Sequence, residues 1–241
     1  MWSSNTVSFL GFTVVAGKGV RMSDDKIEGL RMMKPPRHLK DLRSFLGSMQ
    51  FYDRFIPHYS DTAAPLTALT RKDAPFVWDE TCQTAFDRLL SSVRDDVFLT
   101  AFDPDKPIRL ETDASDVAYA ILILQPDDLG NWRPIIMAHH KFDGHEKGWD
   151  VPDKELYAIV YAFDRYRHFL AQPKFPVEVY SDHRNLAKFM FTSDLLKSHD
   201  GRLGRWWQQL SEANFIIQYR PGMENTCLLY TSDAADDSLR V

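Results

Sequence analysis

The spacing of apolar positions changes character near Phe98, and the change divides the chain into a helix-rich part and a part of alternating strands and helices. Val7 to Val15 is an apolar, strand-like run followed by Gly17 and Gly19 around a turn, which predicts a small hairpin. Ser23-Asp24 supplies an N-cap for a helix through Met33, and Pro35-Pro36 breaks it. Leu42, Phe45, Leu46, Met49 and Phe55 recur near helical spacing, so a helix is predicted over 39–55, closed by Pro57. Shorter helices are predicted over 63–69 and 80–93.

Beyond Phe98 the pattern reads as strands at 108–112, 117–125 and 133–141, joined by polar turns into an antiparallel meander. A helix is predicted over 151–171, with Leu156, Ile159, Val160, Phe163 and Phe169 on its apolar side, ended by Pro173 and Pro176. A strand at 177–181, helices at 183–191 and 199–212, and a strand at 215–219 complete the order βββαβααβ. The expected fold class is α/β: a mixed five-stranded sheet with flanking helices, preceded by an α+β part of a small hairpin plus helices.

A length of 241 residues holds one large or two modest domains. No apolar run approaches the ~20 residues that span a bilayer, so no membrane partner is expected. Residues 1–5 lack the basic start and apolar core of a signal peptide. Cys82 and Cys227 are the only cysteines, which excludes a disulfide framework, points to an intracellular reducing compartment and leaves a zinc site unsupported. The net charge of −5 argues mildly against nucleic acid when read globally. The local pattern is more useful: Arg31, Lys34, Arg37, Lys40, Arg43 and Arg54, and later Lys197, Arg202 and Arg205, could follow a phosphate backbone. Taken singly, each reads better as a solvated helix face.

Three carboxylates stand in telling places. Asp113 lies in Glu111-Thr112-Asp113-Ala114-Ser115 at a strand tip, Glu155 on a helix, and Asp182 at the close of another strand. Strand, helix and strand can bring them together to hold a divalent metal over a phosphodiester. Singly, Asp113 reads as a turn former with Ser115, Glu155 as a partner of Lys154 or Arg165, and Asp182 as a helix cap. Asp116 reads as a cap or surface residue.

Asp113 in its Glu-Thr-Asp-Ala-Ser setting, Lys154-Glu155-Leu156 and Ser181-Asp182-His183 resemble the RNase H domain of gypsy-type LTR retroelement Pol polyproteins. Upstream, Phe9-Leu10-Gly11-Phe12, Leu42-Arg43-Ser44-Phe45-Leu46-Gly47, Tyr52-Asp53-Arg54-Phe55-Ile56, Ala64-Pro65-Leu66 and Phe76-Val77-Trp78 resemble the end of its reverse transcriptase. The likeness runs from about Phe9 to Thr226. It implies a palm and thumb-like region over 1–95 and an RNase H-like domain over 96–226. It implies Asp113, Glu155 and Asp182 as catalytic and metal-binding residues for two Mg²⁺ ions, with Mn²⁺ able to substitute. The implied substrate is the RNA strand of an RNA–DNA hybrid, with Arg202, Arg205, Trp206 and His183 as candidate contacts and Trp207 beside them; at least one tryptophan is expected in the core. The implied partners are the polymerase palm and fingers and the integrase of the same polyprotein, in cytoplasmic retroelement particles. No adjacent pair of aspartates in a strand turn precedes residue 60, so polymerase activity is not expected.

The pattern departs from the family after Gly222-Met223-Glu224-Asn225-Thr226. A fourth carboxylate is expected where Leu229 stands, and residues 227–241 resemble translated sequencing adaptor rather than native sequence. The last helix of the domain is then missing, apolar surface is left exposed, and a weak or inactive fragment is expected. Ala120 also stands near a position where the family often has glycine. A non-catalytic connection module that grips primer–template is the competing reading. A transposase or integrase of related fold lies further behind, because it leaves the N-terminal part unexplained.

Overall fold

The computed structural model describes residues 5–56, 59–93, 97–183, 186 and 201–221. In place of the expected hairpin, the chain opens with a three-stranded antiparallel meander: β1 (Thr6–Phe9), β2 (Phe12–Val15) and β3 (Gly19–Met22). The apolar run 7–15 is therefore not one strand. It folds back at Leu10 (φ 50°) and Gly11 (φ 83°), a left-handed pair that glycine tolerates and that apolar patterning does not announce.

Helices α1 (Asp24–Arg31) and α2 (Leu39–Phe51) follow. Ser23 takes the N-cap position of α1, but its side chain makes no capping bond. The predicted helix 39–55 tightens after Phe51 into a 3₁₀ turn over Asp53–Phe55. Two short helices, α3 (Tyr59–Thr62) and α4 (Ala64–Ala68), precede α5 (Glu80–Ser91), whose N-cap Asp79 accepts a bond from Cys82 N at 2.8 Å.

The second part is built on β4 (Arg109–Ala114), β5 (Ala118–Pro126), β6 (Trp132–Lys141), β7 (Val177–Ser181) and β8 (Phe215–Tyr219). They form one mixed sheet in the order β6-β5-β4-β7-β8, with β4–β7 and β7–β8 parallel. Helix α6 (Val151–Arg165) ends at Tyr166, and a separate short α7 (Arg167–Leu170) replaces the tail of the predicted 151–171 helix. Helix α8 (Arg202–Ser211) leads into β8. Most of the predicted helix 183–191, the Gly222–Thr226 motif, Leu229 and the 227–241 tail lie outside the described residues, as does Pro57.

β5 explains how the two parts are joined. It is buried at every position but Pro126, as a strand covered on both faces must be. Tyr119, Ile121 and Ile123 join Leu156, Ile159 and Phe163 of α6 in one core. Ala120, Leu122 and Leu124, with Met137 of β6, join Phe45, Met49, Leu66, Phe86 and Leu89 of the N-terminal helices in the other. Each Leu, Ile, Phe or Met side chain among them contributes roughly 1.5–3 kcal/mol on removal from water. Val20 and Leu99 exchange backbone bonds of 2.8 Å each, stitching β3 to the segment before β4. There Gly19 (φ +119°) is required, because a Cβ would meet Leu99 O at 2.1 Å.

Candidate active site

The parallel pairing of β4 with β7 carries their C-terminal ends to the same edge of the sheet. Asp113 therefore stands at the end of β4, opposite Ala120 of β5, and Asp182 stands one residue past β7. α6 packs on β4 and delivers Glu155 to this edge. Asp182 is exposed, Asp113 half-buried, and Glu155 only 3% exposed.

Glu155 is the group most altered by this setting. Its Oε1 accepts from Ala114 N at 3.1 Å, and its buried Oε2 has no hydrogen-bond partner among the described residues. Burial, then the charges of Asp182 and Asp113, push its pKa from 4.5 up to about 8, against the pull of the Ala114 N–H. The three predicted carboxylates are thus close enough to act on one another electrostatically. Among the described residues, however, no three His, Cys, Asp or Glu side chains are drawn close enough to hold a metal ion as they stand. The donor set still fits a hard divalent cation: it offers carboxylate oxygens, one buried and unbonded, where negative charge accumulates.

Around the carboxylates is a set of contacts that single-residue patterns did not signal. Glu111 is wholly buried, and its Oε1 accepts from Arg220 Nη1 at 2.8 Å. Arg220 stacks 3.9 Å above Tyr180, and its backbone N–H binds Ser181 O at 3.0 Å, beside Asp182. The turn after Asp113 is made by Ser115, whose Oγ accepts from Val117 N (3.2 Å) and Ala118 N (3.0 Å). Lys154, 4% exposed, does not pair with Glu155. It donates to Asp116 at 2.9 Å, so the surface carboxylate of the sequence reading has a structural partner.

The candidate hybrid contacts are placed differently. His183 is half-buried, its backbone N–H donates to Ser181 Oγ at 3.2 Å, and its Nδ1 is buried without a partner among the described residues. Arg202 is ion-paired with Asp153 in the first turn of α6, and its guanidinium lies 4.3 Å from the Trp149 ring and 5.2 Å from the Trp206 ring. Trp206 is buried against Trp149 and Tyr157, which meets the expectation of a core tryptophan, while Trp207 is half-buried. Arg205 is exposed. Of the earlier basic stretch, Arg31 is spent on Val93 O at 2.9 Å.

Sheet order and helix placement define an RNase H-like fold. Residues 103–213 match the family described as the RNase H-like domain found in reverse transcriptase. The Tf2-3 and Tf2-4 transposon polyproteins of Schizosaccharomyces pombe are each 33% identical over 219 residues, 91% of this chain and 16% of the polyprotein. The chain thus spans about one sixth of the length of these relatives. Among solved structures, the foamy viral protease-reverse transcriptase in complex with RNA/DNA hybrid superposes with a TM-score of 0.67 at 23% identity, covering 92% of this chain and 30% of that one. The dRH form in complex with double-stranded DNA gives 0.67 at 24% identity, covering 89% and 38%. The likeness to gypsy-type LTR retroelement Pol polyproteins, across the end of reverse transcriptase and the RNase H-like domain, is borne out.

Proposed function

We propose that this chain carries an RNase H-type endonuclease site, which cleaves the RNA strand of an RNA–DNA hybrid as part of a retroelement reverse transcriptase. The observation that carries this reading is Glu155, desolvated at the sheet edge with the charges of Asp113 and Asp182 bearing on it. A structural carboxylate at such a site would be expected to have a cationic neighbour; this one faces two more acids instead. Asp113, Glu155 and Asp182 would hold Mg²⁺, with Mn²⁺ able to replace it. When bound, the metal supplies an activated water and stabilisation of the leaving 3′-oxygen. The strand of the hybrid to be cut would be distinguished through its 2′-hydroxyls. His183 and Arg205, and Arg202 and Trp206 in their packed positions, are the proposed flank of the hybrid. The partners would be the hybrid and the rest of the polyprotein, in cytoplasmic particles.

The competing reading, a module that grips primer–template without cutting, draws on the separation of the three carboxylates among the described residues. The test is cleavage of a labelled hybrid in Mg²⁺, by this chain and by one whose residues 227–241 are replaced with a Val-Ala-Asp-Ala-Leu-Ser-type helix. Cutting by the repaired chain, lost on Asp113→Asn and in excess chelator, supports the nuclease. A folded repaired chain that binds hybrid without cutting it supports the gripping module.

A further inference from the structure

The turn that presents Asp113 is held from outside the RNase H-like fold. Ser115 Oγ receives two backbone N–H groups, and its own proton lies between Ala118 O at 3.0 Å and Asp61 Oδ1 at 2.6 Å. The shorter contact has the length of a hydroxyl bound to an ionised carboxylate, roughly 2.5–2.7 Å. Asp61 belongs to α3, in the helical part that precedes the sheet, 54 residues upstream. It does not act in isolation. His139 Nε2 lies 3.6 Å from Asp53 Oδ2, and Lys141 Nζ lies 3.4 Å from Thr67 Oγ1, so β6 carries two further polar contacts to the same helical part. On the other side of the turn, Lys154 holds Asp116 at 2.9 Å from the residue next to Glu155.

We propose that Asp61 is a positioning residue for the nuclease site, fixing through Ser115 the turn that follows Asp113. The inference rests on the nuclease reading for its consequence, not for its geometry. The polymerase-side helices and the nuclease carboxylates are then one mechanical unit, in which a shift of α3 reaches the turn after Asp113 through the Ser115 hydroxyl. Asp61 touches neither metal nor substrate in this role.

The test uses the whole chain as wild type, Asp61→Ala and Asp61→Asn, where the amide oxygen of asparagine can still accept from Ser115. Amide hydrogen exchange is read at Val117 and Ala118, with amides of α5 as an internal control, and Mn²⁺ affinity is measured alongside. In Asp61→Ala, exchange at the turn is expected to rise about tenfold, the worth of one charge-assisted bond. The α5 amides are expected to be unchanged, Mn²⁺ affinity is expected to fall several-fold, and Asp61→Asn is expected to restore most of both. In the tail-repaired chain, hybrid cleavage should lose kcat with KM unchanged. Unchanged exchange at the turn, or an equal rise throughout the protein, overturns the proposal. A loosened turn with wild-type Mn²⁺ affinity overturns the positioning role. If neither wild type nor the tail-repaired chain binds Mn²⁺, the nuclease reading fails by itself, and the exchange result alone decides whether Asp61 holds the turn.

Discussion

Replacing Glu155 with glutamine should stabilise the metal-free fold, and the gain should grow with pH. Folding raises the pKa of this carboxyl from 4.5 to about 8. The unfolded chain therefore releases the proton first, and folding becomes harder as pH climbs from 4.5 to about 8. At pH 7 the unfolded group is ionised and the folded one still mostly protonated. Each pH unit above 4.5 costs about 1.4 kcal/mol, which sums to about 3 kcal/mol at pH 7. Glutamine keeps the shape and an acceptor for Ala114 N–H but has no proton to lose. The assay is urea unfolding followed by tryptophan fluorescence, with chelator present, for both proteins between pH 4.5 and 8. The two should be nearly equal at pH 4.5 and separate by about 3 kcal/mol at pH 7. Titrating groups remote from Glu155 are common to both and cancel, whereas Asp113 and Asp182, whose charges bear on Glu155, belong to the same coupled site. A gap that stays constant with pH, or that favours wild type at pH 7, refutes the claim that Glu155 is held in a dry site facing two acids. Adding Mg²⁺ should narrow the gap by stabilising wild type alone.

Three further outcomes are expected. Arg220→Met leaves Glu111 buried without that partner and should cost about 3 kcal/mol, near the lower end for a broken buried pair because Arg220 retains some access to water; calorimetry checks it, and Glu111→Gln should cost less. Leu122→Ala opens space between β5 and the N-terminal helices and should cost about 2–5 kcal/mol, with both parts melting in one transition. Asp113→Asn in the tail-repaired chain should leave the circular dichroism spectrum unchanged and remove detectable hybrid cleavage.

The central sheet was legible because its strands are bounded by polar turns and its helices by prolines. Asp113, Glu155 and Asp182 were legible because the residues around them resemble a known family; their mutual influence depends on β4 and β7 running parallel, which no local pattern states. What escaped detection shares a cause. The break at Leu10-Gly11 lies inside an unbroken apolar run. Glu111 at a strand position reads as solvent-facing, and the arginine that pairs with it is 109 residues away. Asp61 and Ser115 are 54 apart. Periodicity reports which face is buried, not which polar group across the core completes a buried one.

The sheet is sealed by a piece of chain that precedes it. A boundary drawn at residue 103, where the matched family begins, would cut away Phe45, Met49, Leu66, Phe86 and Leu89 and leave Ala120, Leu122, Leu124 and Met137 facing water. Such a fragment would carry the recognisable signature of its family together with an adhesive apolar face. The stretch matched as a family, residues 103–213, is here smaller than the unit that shares one apolar core. Trimming this protein to residues 103–213 would yield a sticky half rather than a self-contained domain.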